Sequence, residues 1–223
     1  MALDLEEQEQ LDRLKHFWRQ WGNLISWTAV VLALLYAGWN GWAWWQRQQA
    51  AQASALYDEV ERIAAGGDAE RIDRALSDMK DKFGGTLQAQ HAALLAAAAH
   101  ASAGRQEQAR AALQWAANQG PDEGVRAVAR LRLAGLLLDA KSYDEALKEL
   151  AVKLPAEFEP LAADRRGDVY LAQGKKTEAA AEYLKAWLGL STQTGQGSNY
   201  LQVVDAKLAA LGVQPSAAAP EVR

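Results

Sequence analysis

Residues 161–190, LAADRRGDVYLAQGKKTEAAAEYLKAWLGL, read as two short helices about a single break. Alanine, leucine, lysine, arginine and glutamate dominate, which favours helix over strand. Gly174 suits the left-handed residue that ends a helix, so the first helix is expected over 161–173 and the second over 176–190. The same helix–turn–helix pattern recurs upstream. Segments 88–103 and 106–118 turn at Gly104, and segments 124–140 and 143–153 turn near Lys141. Segments 50–65 and 69–82 turn at Gly66-Gly67. A fixed alanine marks the second helix of each pair: Ala75, Ala109, Ala146 and Ala179, spaced 34, 37 and 33 residues apart. Four residues later come Met79, Leu113, Leu150 and Tyr183. The small residue lets paired helices approach, and the large one fills the space against the next pair.

A period near 34 with this pattern resembles the tetratricopeptide repeat. In the last unit Gly167, Tyr170, Gly174, Ala179, Tyr183 and Ala186 fall on that family's positions, while Ala163 replaces its usual tryptophan and Arg166 its leucine. Pro121 follows Ala109 by twelve residues, as the pattern expects, and Tyr143 stands at the matching offset before Ala146. The first unit is degenerate, and a longer connection is expected around 120–123. A final helix over 200–211, with Leu201, Val204, Leu208 and Leu211 on one face, would cap the stack. The glycines of TQTGQGSN, 192–199, follow a helix rather than a strand and carry no Gly-Lys-Ser/Thr, which argues against a phosphate cradle. The Pro- and Ala-rich end, 213–223, reads as a disordered tail.

Moving toward the N-terminus, residues 24–45, LISWTAVVLALLYAGWNGWAWW, hold no charge. As a helix they would run about 33 Å, enough to cross a hydrocarbon core of about 30 Å. Trp18 and Trp21 precede the run, and Trp39, Trp42, Trp44 and Trp45 crowd its far end, like aromatic belts at two interfaces. A cleaved signal peptide fits poorly, since the apolar run is too long and the leader carries five acids. Arg13, Lys15 and Arg19 lie close on the N-terminal side, against Arg47 and the more distant Arg62 on the other. That bias predicts a cytoplasmic N-terminus. Within the span Ala29, Ala33, Ala37 and Gly41 recur every four residues, a line of small side chains that would let another helix pack closely. Asn40 offers an amide to such a neighbour.

The expected organisation is therefore all-α: a cytoplasmic leader over 1–23, one transmembrane helix over 24–45, a tetratricopeptide repeat-like α-solenoid over 46–212, and the tail. Of 223 residues, about 175 remain for one domain outside the membrane. No cysteine is present, which excludes a disulfide framework and thiolate metal sites. From residue 46 onward, 21 Lys+Arg face 23 Asp+Glu, a net of −2 with the signs interspersed. No basic tract exists for phosphate backbones, so nucleic acid is not an expected partner. His91 and His100 stand nine residues apart on one expected helix, on nearly opposite sides, and cannot share a metal. No hydrolase or zinc-protease signature occurs, and neither catalysis nor a cofactor is expected.

The leader EEQEQLDRLKHFWRQWGN, with Leu11, Leu14, Lys15, Trp18 and Gly22, the anchor directly after it, and the repeats in this order resemble the YfgM-type family of ancillary SecYEG translocon subunits. The resemblance implies a bacterial inner-membrane protein with its repeats in the periplasm. It also implies association with the SecYEG translocon, with a PpiD-type periplasmic chaperone, and with unfolded or translocating proteins. An envelope or cytochrome biogenesis scaffold built on the same repeat is the alternative. Projecting the repeat pattern onto this chain places His91, Leu94, Val128, Leu131, Leu138, Leu161, Asp164, Asp168 and Leu171 on a concave partner-binding groove. The Lys and Asn that clamp a peptide carboxylate in such repeats are missing, and Asp164 and Asp168 stand at two of those positions. The groove is thus expected to take apolar or basic segments. Each leucine could equally serve as core between repeats.

Overall fold

The computed structural model describes residues 5–192 and 198–214, so most of the expected tail and the centre of the 192–199 loop lie outside the described residues. The described chain is helical throughout: α1 Leu5–Gly66, α2 Ala69–Phe83, α3 Leu87–Ser102, α4 Gln106–Gln119, α5 Glu123–Asp139, α6 Tyr143–Leu150, α7 Glu159–Ala172, α8 Lys176–Thr192 and α9 Ser198–Ala210. One 3-10 turn, Ala156–Phe158, precedes α7. The chain divides into two compact units, Met1–Gln49 and Ala50–Arg223.

In the first unit, α1 carries the apolar run. Leu32, Leu34, Leu35, Tyr36 and Trp39 are all well over half exposed. A soluble helix would bury such side chains against a neighbour, whereas a membrane-spanning helix turns them to lipid. The helix is long and apolar enough to cross a membrane. Its polar groups turn inward: the Thr28 hydroxyl donates to Leu24 O at 2.8 Å and the Asn40 amide to Tyr36 O at 2.9 Å. Both bonds satisfy groups that hydrocarbon cannot.

The second unit stacks its helices in chain order, each against the next, from α2 to α9. All four marker alanines are buried, and so are Met79, Leu113, Leu150 and Tyr183. The sequence period thus reports a real packing seam. The larger core runs from Ala53 and Val60 to Val169, and a second core joins Ala163, Ala179, Tyr183, Ala186 and Leu190 to Val204 and Leu208 of α9.

Helix starts follow side-chain chemistry. Asp68, Thr86 and Asp122 accept from the backbone N–H three residues on, at 3.1, 3.3 and 2.8 Å, each satisfying a donor the helix leaves free. Helix ends repeat one device. At the α7–α8 turn Lys175 N donates to Tyr170 O and Gly174 N to Leu171 O, both at 2.9 Å, with Gly174 at φ 76°. The α5–α6 turn makes the same pair of bonds around Lys141, which takes φ 59° without being glycine. Helix α6 stops at Leu150, short of the expected 153, because Pro155 disfavours helical backbone at Leu154 and Pro160 starts α7 afresh.

Candidate functional site

The chemistry of the repeat unit concentrates where α7, α8 and α9 meet. Gly167 brings α7 against the Tyr183 ring of α8, and this close approach aims Tyr183 at the neighbouring Asp168. The Tyr183 hydroxyl donates to Asp168 Oδ1 at 2.8 Å. From α9, the Lys207 ammonium donates to both oxygens of Asp164 at 2.8 Å and to Asp168 Oδ1 at 2.7 Å. The Tyr200 hydroxyl donates to Asp164 Oδ2 at 2.7 Å. Arg165 stands 3.4 Å from Asp168 Oδ2, and Lys207 lies 5.2 Å from the centre of the Tyr183 ring. Asp164 is only 1% exposed. Burial first, then the hydrogen bond to Asp164 and its charge, push the Tyr200 phenol well above its ordinary value. Burial and the bond to Asp168 do the same to Tyr183. Both phenols therefore stay protonated donors.

Both aspartates expected on the groove lie in this cluster. Asp164 and Asp168 are covered by α9 and are matched by Lys207, with Arg165 as a second cation. The remaining projected residues divide. Leu94, Leu131 and Leu138 pack against the larger core and Leu161 against the second, so these leucines serve packing. Val128 is half-buried, while His91 and Leu171 are exposed. The structure therefore brings Asp164 and Asp168 together with residues the pattern did not nominate, Tyr200 and Lys207. Their signal was present in the sequence: Tyr200, Val204, Lys207, Leu208 and Leu211 share one helical face, so the lysine sits inside an apolar stripe.

Two other polar clusters fix the stack. Gln90, buried in α3, donates to Ala116 O and Asp122 O and accepts from Asp122 N, all at 3.1 Å. It thereby holds the longer connection expected around 120–123. Arg166, standing where the repeat pattern has leucine, donates to Glu182 at 2.8 Å, Glu159 at 2.7 Å and Leu150 O at 3.0 Å. One guanidinium so joins α6, α7 and α8. An open groove of about 580 Å³ lies between the end of α1, α2 and α3, lined by Ile72, Leu95, Ala98 and Ala99. In the first unit Ala29, Ala33, Ala37 and Gly41 are exposed, and one donor of Asn40 is already used within its own helix.

Comparison with known proteins bears on the whole chain. Residues 15–213 match the tetratricopeptide repeat-like domain family. A protein of Neisseria gonorrhoeae named ancillary SecYEG translocon subunit is 34% identical over 207 residues, 91% of this chain and 97% of that one. Proteins of the same name from Haemophilus influenzae and Escherichia coli are 28% and 27% identical, covering 83% and 82% of this chain and 91% and 88% of theirs. With its anchor-bearing N-terminal helix and stacked helical pairs, the chain belongs to the tetratricopeptide repeat-like family of ancillary SecYEG translocon subunits.

Proposed function

We propose that this chain is a non-enzymatic ancillary subunit of the Sec translocon, held in the bacterial inner membrane by its N-terminal helix. The N-terminus faces the cytoplasm and the repeats face the periplasm, as the Lys/Arg bias around the span supports. The repeats act as a scaffold between the channel, a PpiD-type periplasmic chaperone and emerging unfolded proteins. The observation that carries this reading is coverage: the Neisseria protein bearing the translocon name matches 91% of this chain and 97% of its own length. The line Ala29, Ala33, Ala37 and Gly41 supplies the helix-packing face, and His91, Val128 and Leu171 the accessible part of the repeat surface.

Capture of the full-length chain from membranes in mild detergent, with partners identified by mass, tests this reading. The channel subunits are expected to co-purify. Replacing Ala33 and Ala37 together with Leu is expected to weaken that capture without affecting insertion, since bulk on the packing face forces helices apart. Capture of envelope or cytochrome assembly factors with no channel would refute the reading. Protease added to spheroplasts is expected to digest the region after Gln46 and spare the leader.

A further inference from the structure

Asp164 depends on α9. Lys207 and Tyr200 hold both of its oxygens, and among the described residues neither α7 nor α8 gives it a hydrogen bond. Asp168 differs, because Tyr183 of α8 and Arg165 of α7 reach it. Taken as α7 and α8 alone, the terminal repeat pairs Arg165 with Asp168 and presents the Asp164 carboxylate without an ion-pair partner, beside the apolar surface of Ala163, Tyr183, Ala186 and Leu190. A helix that covers this carboxylate without bringing a cation would desolvate an unpaired anion, which is strongly unfavourable, so the surface selects a helix that carries a basic group. Helix α9 meets the demand in full. It adds Val204 and Leu208, both fully buried, a phenol donor and one ammonium.

We propose that α9 is a built-in occupant of the terminal repeat, holding closed a groove that takes a partner's helix with a lysine or arginine on its apolar face. A thirteen-residue helix does not hold its shape alone in water, so the order of α9 comes from this docking. Lys207 is 26% exposed, so the ion pair reaches solvent at its edge, where an incoming cation can compete. Helices with an acidic or purely neutral face are rejected, because they would leave Asp164 unpaired. Tethering gives α9 a high effective concentration, which keeps the groove closed to weak ligands. The inference concerns the terminal repeat alone and stands apart from translocon association.

The test uses the full-length chain in detergent micelles and a fluorescent peptide of residues 198–213 as the incoming helix, read by anisotropy. The Lys207→Met chain keeps the apolar stem of the strap but loses its cation. It is expected to bind the wild-type peptide at least tenfold more tightly than the wild-type chain does. A peptide with Lys207→Met is expected to show no such gain. Hydrogen exchange on the wild-type chain is expected to find α9 amides exchanging at least tenfold faster than those of α7 and α8. Equal peptide affinity for the two chains, equal binding of the two peptides, or exchange of α7, α8 and α9 as one unit would overturn the proposal. Loss of α7 and α8 protection in the Lys207→Met chain would overturn it too, by making α9 an integral part of the repeat.

Discussion

A β-carbon added at Gly167 would lie 2.5 Å from the Tyr183 ring, and that ring cannot retreat, being fully buried and bonded to Asp168. Alanine is the better helix former by about 1 kcal/mol, but forcing bulk into a packed seam costs about 1–3 kcal/mol. The clash is the larger effect. Gly167→Ala is expected to lower the melting temperature by a few degrees in thermal denaturation followed by circular dichroism. Lys141 presents the reverse case. Its left-handed backbone costs an L-residue about 1–2 kcal/mol, and glycine recovers part of that after its own unfolded-state entropy is counted. Lys141→Gly is expected to stabilise the repeats by about 0.5–1 kcal/mol in urea unfolding, with an unchanged slope.

Among the elements, α6, α7 and α8 are tied by one ionic cluster whose pH response has a definite sign. Burial by itself would raise the Glu182 carboxyl, but hydrogen bonds from Lys185 and Arg166 outweigh it and hold the group below its ordinary 4.5. A lowered folded-state value stabilises above the unfolded value and is lost as pH falls through the folded one. Wild type is therefore expected to lose stability below about pH 4.5. Glu182→Gln should be less stable at pH 7 and flatter across the acid range, as urea midpoints at a series of pH values would show. How far the elements were legible in the sequence follows from the same physics. Ala75, Ala109, Ala146 and Ala179 announce themselves because close helix approach needs a small residue at every repeat. The end of α6 was misjudged by three residues because the effect of Pro155 acts backward along the chain. The Asp164–Lys207 pair was hidden because its partners lie 43 residues apart and on different helices. Helical periodicity describes one face of one helix, whereas a buried ion pair belongs to two.

For the whole molecule, function rests on an apolar helix with lipid as its solvent and a stack of helical pairs in the same chain. The apolar stretch and the repeat period were each readable from composition and spacing. Which proteins they meet was not, since exposed residues such as His91 and Leu171 follow no period. In the proposed function the anchor packs beside the protein-conducting channel. A photo-crosslinking amino acid placed at Ala37 of the full-length chain, activated in intact cells, tests this most directly. An ultraviolet-dependent adduct with a channel subunit is expected, and a weaker one from Leu35, which lies off the small-residue line. Adducts with lipid alone, or equal adducts from both positions with proteins unrelated to the channel, would contradict it.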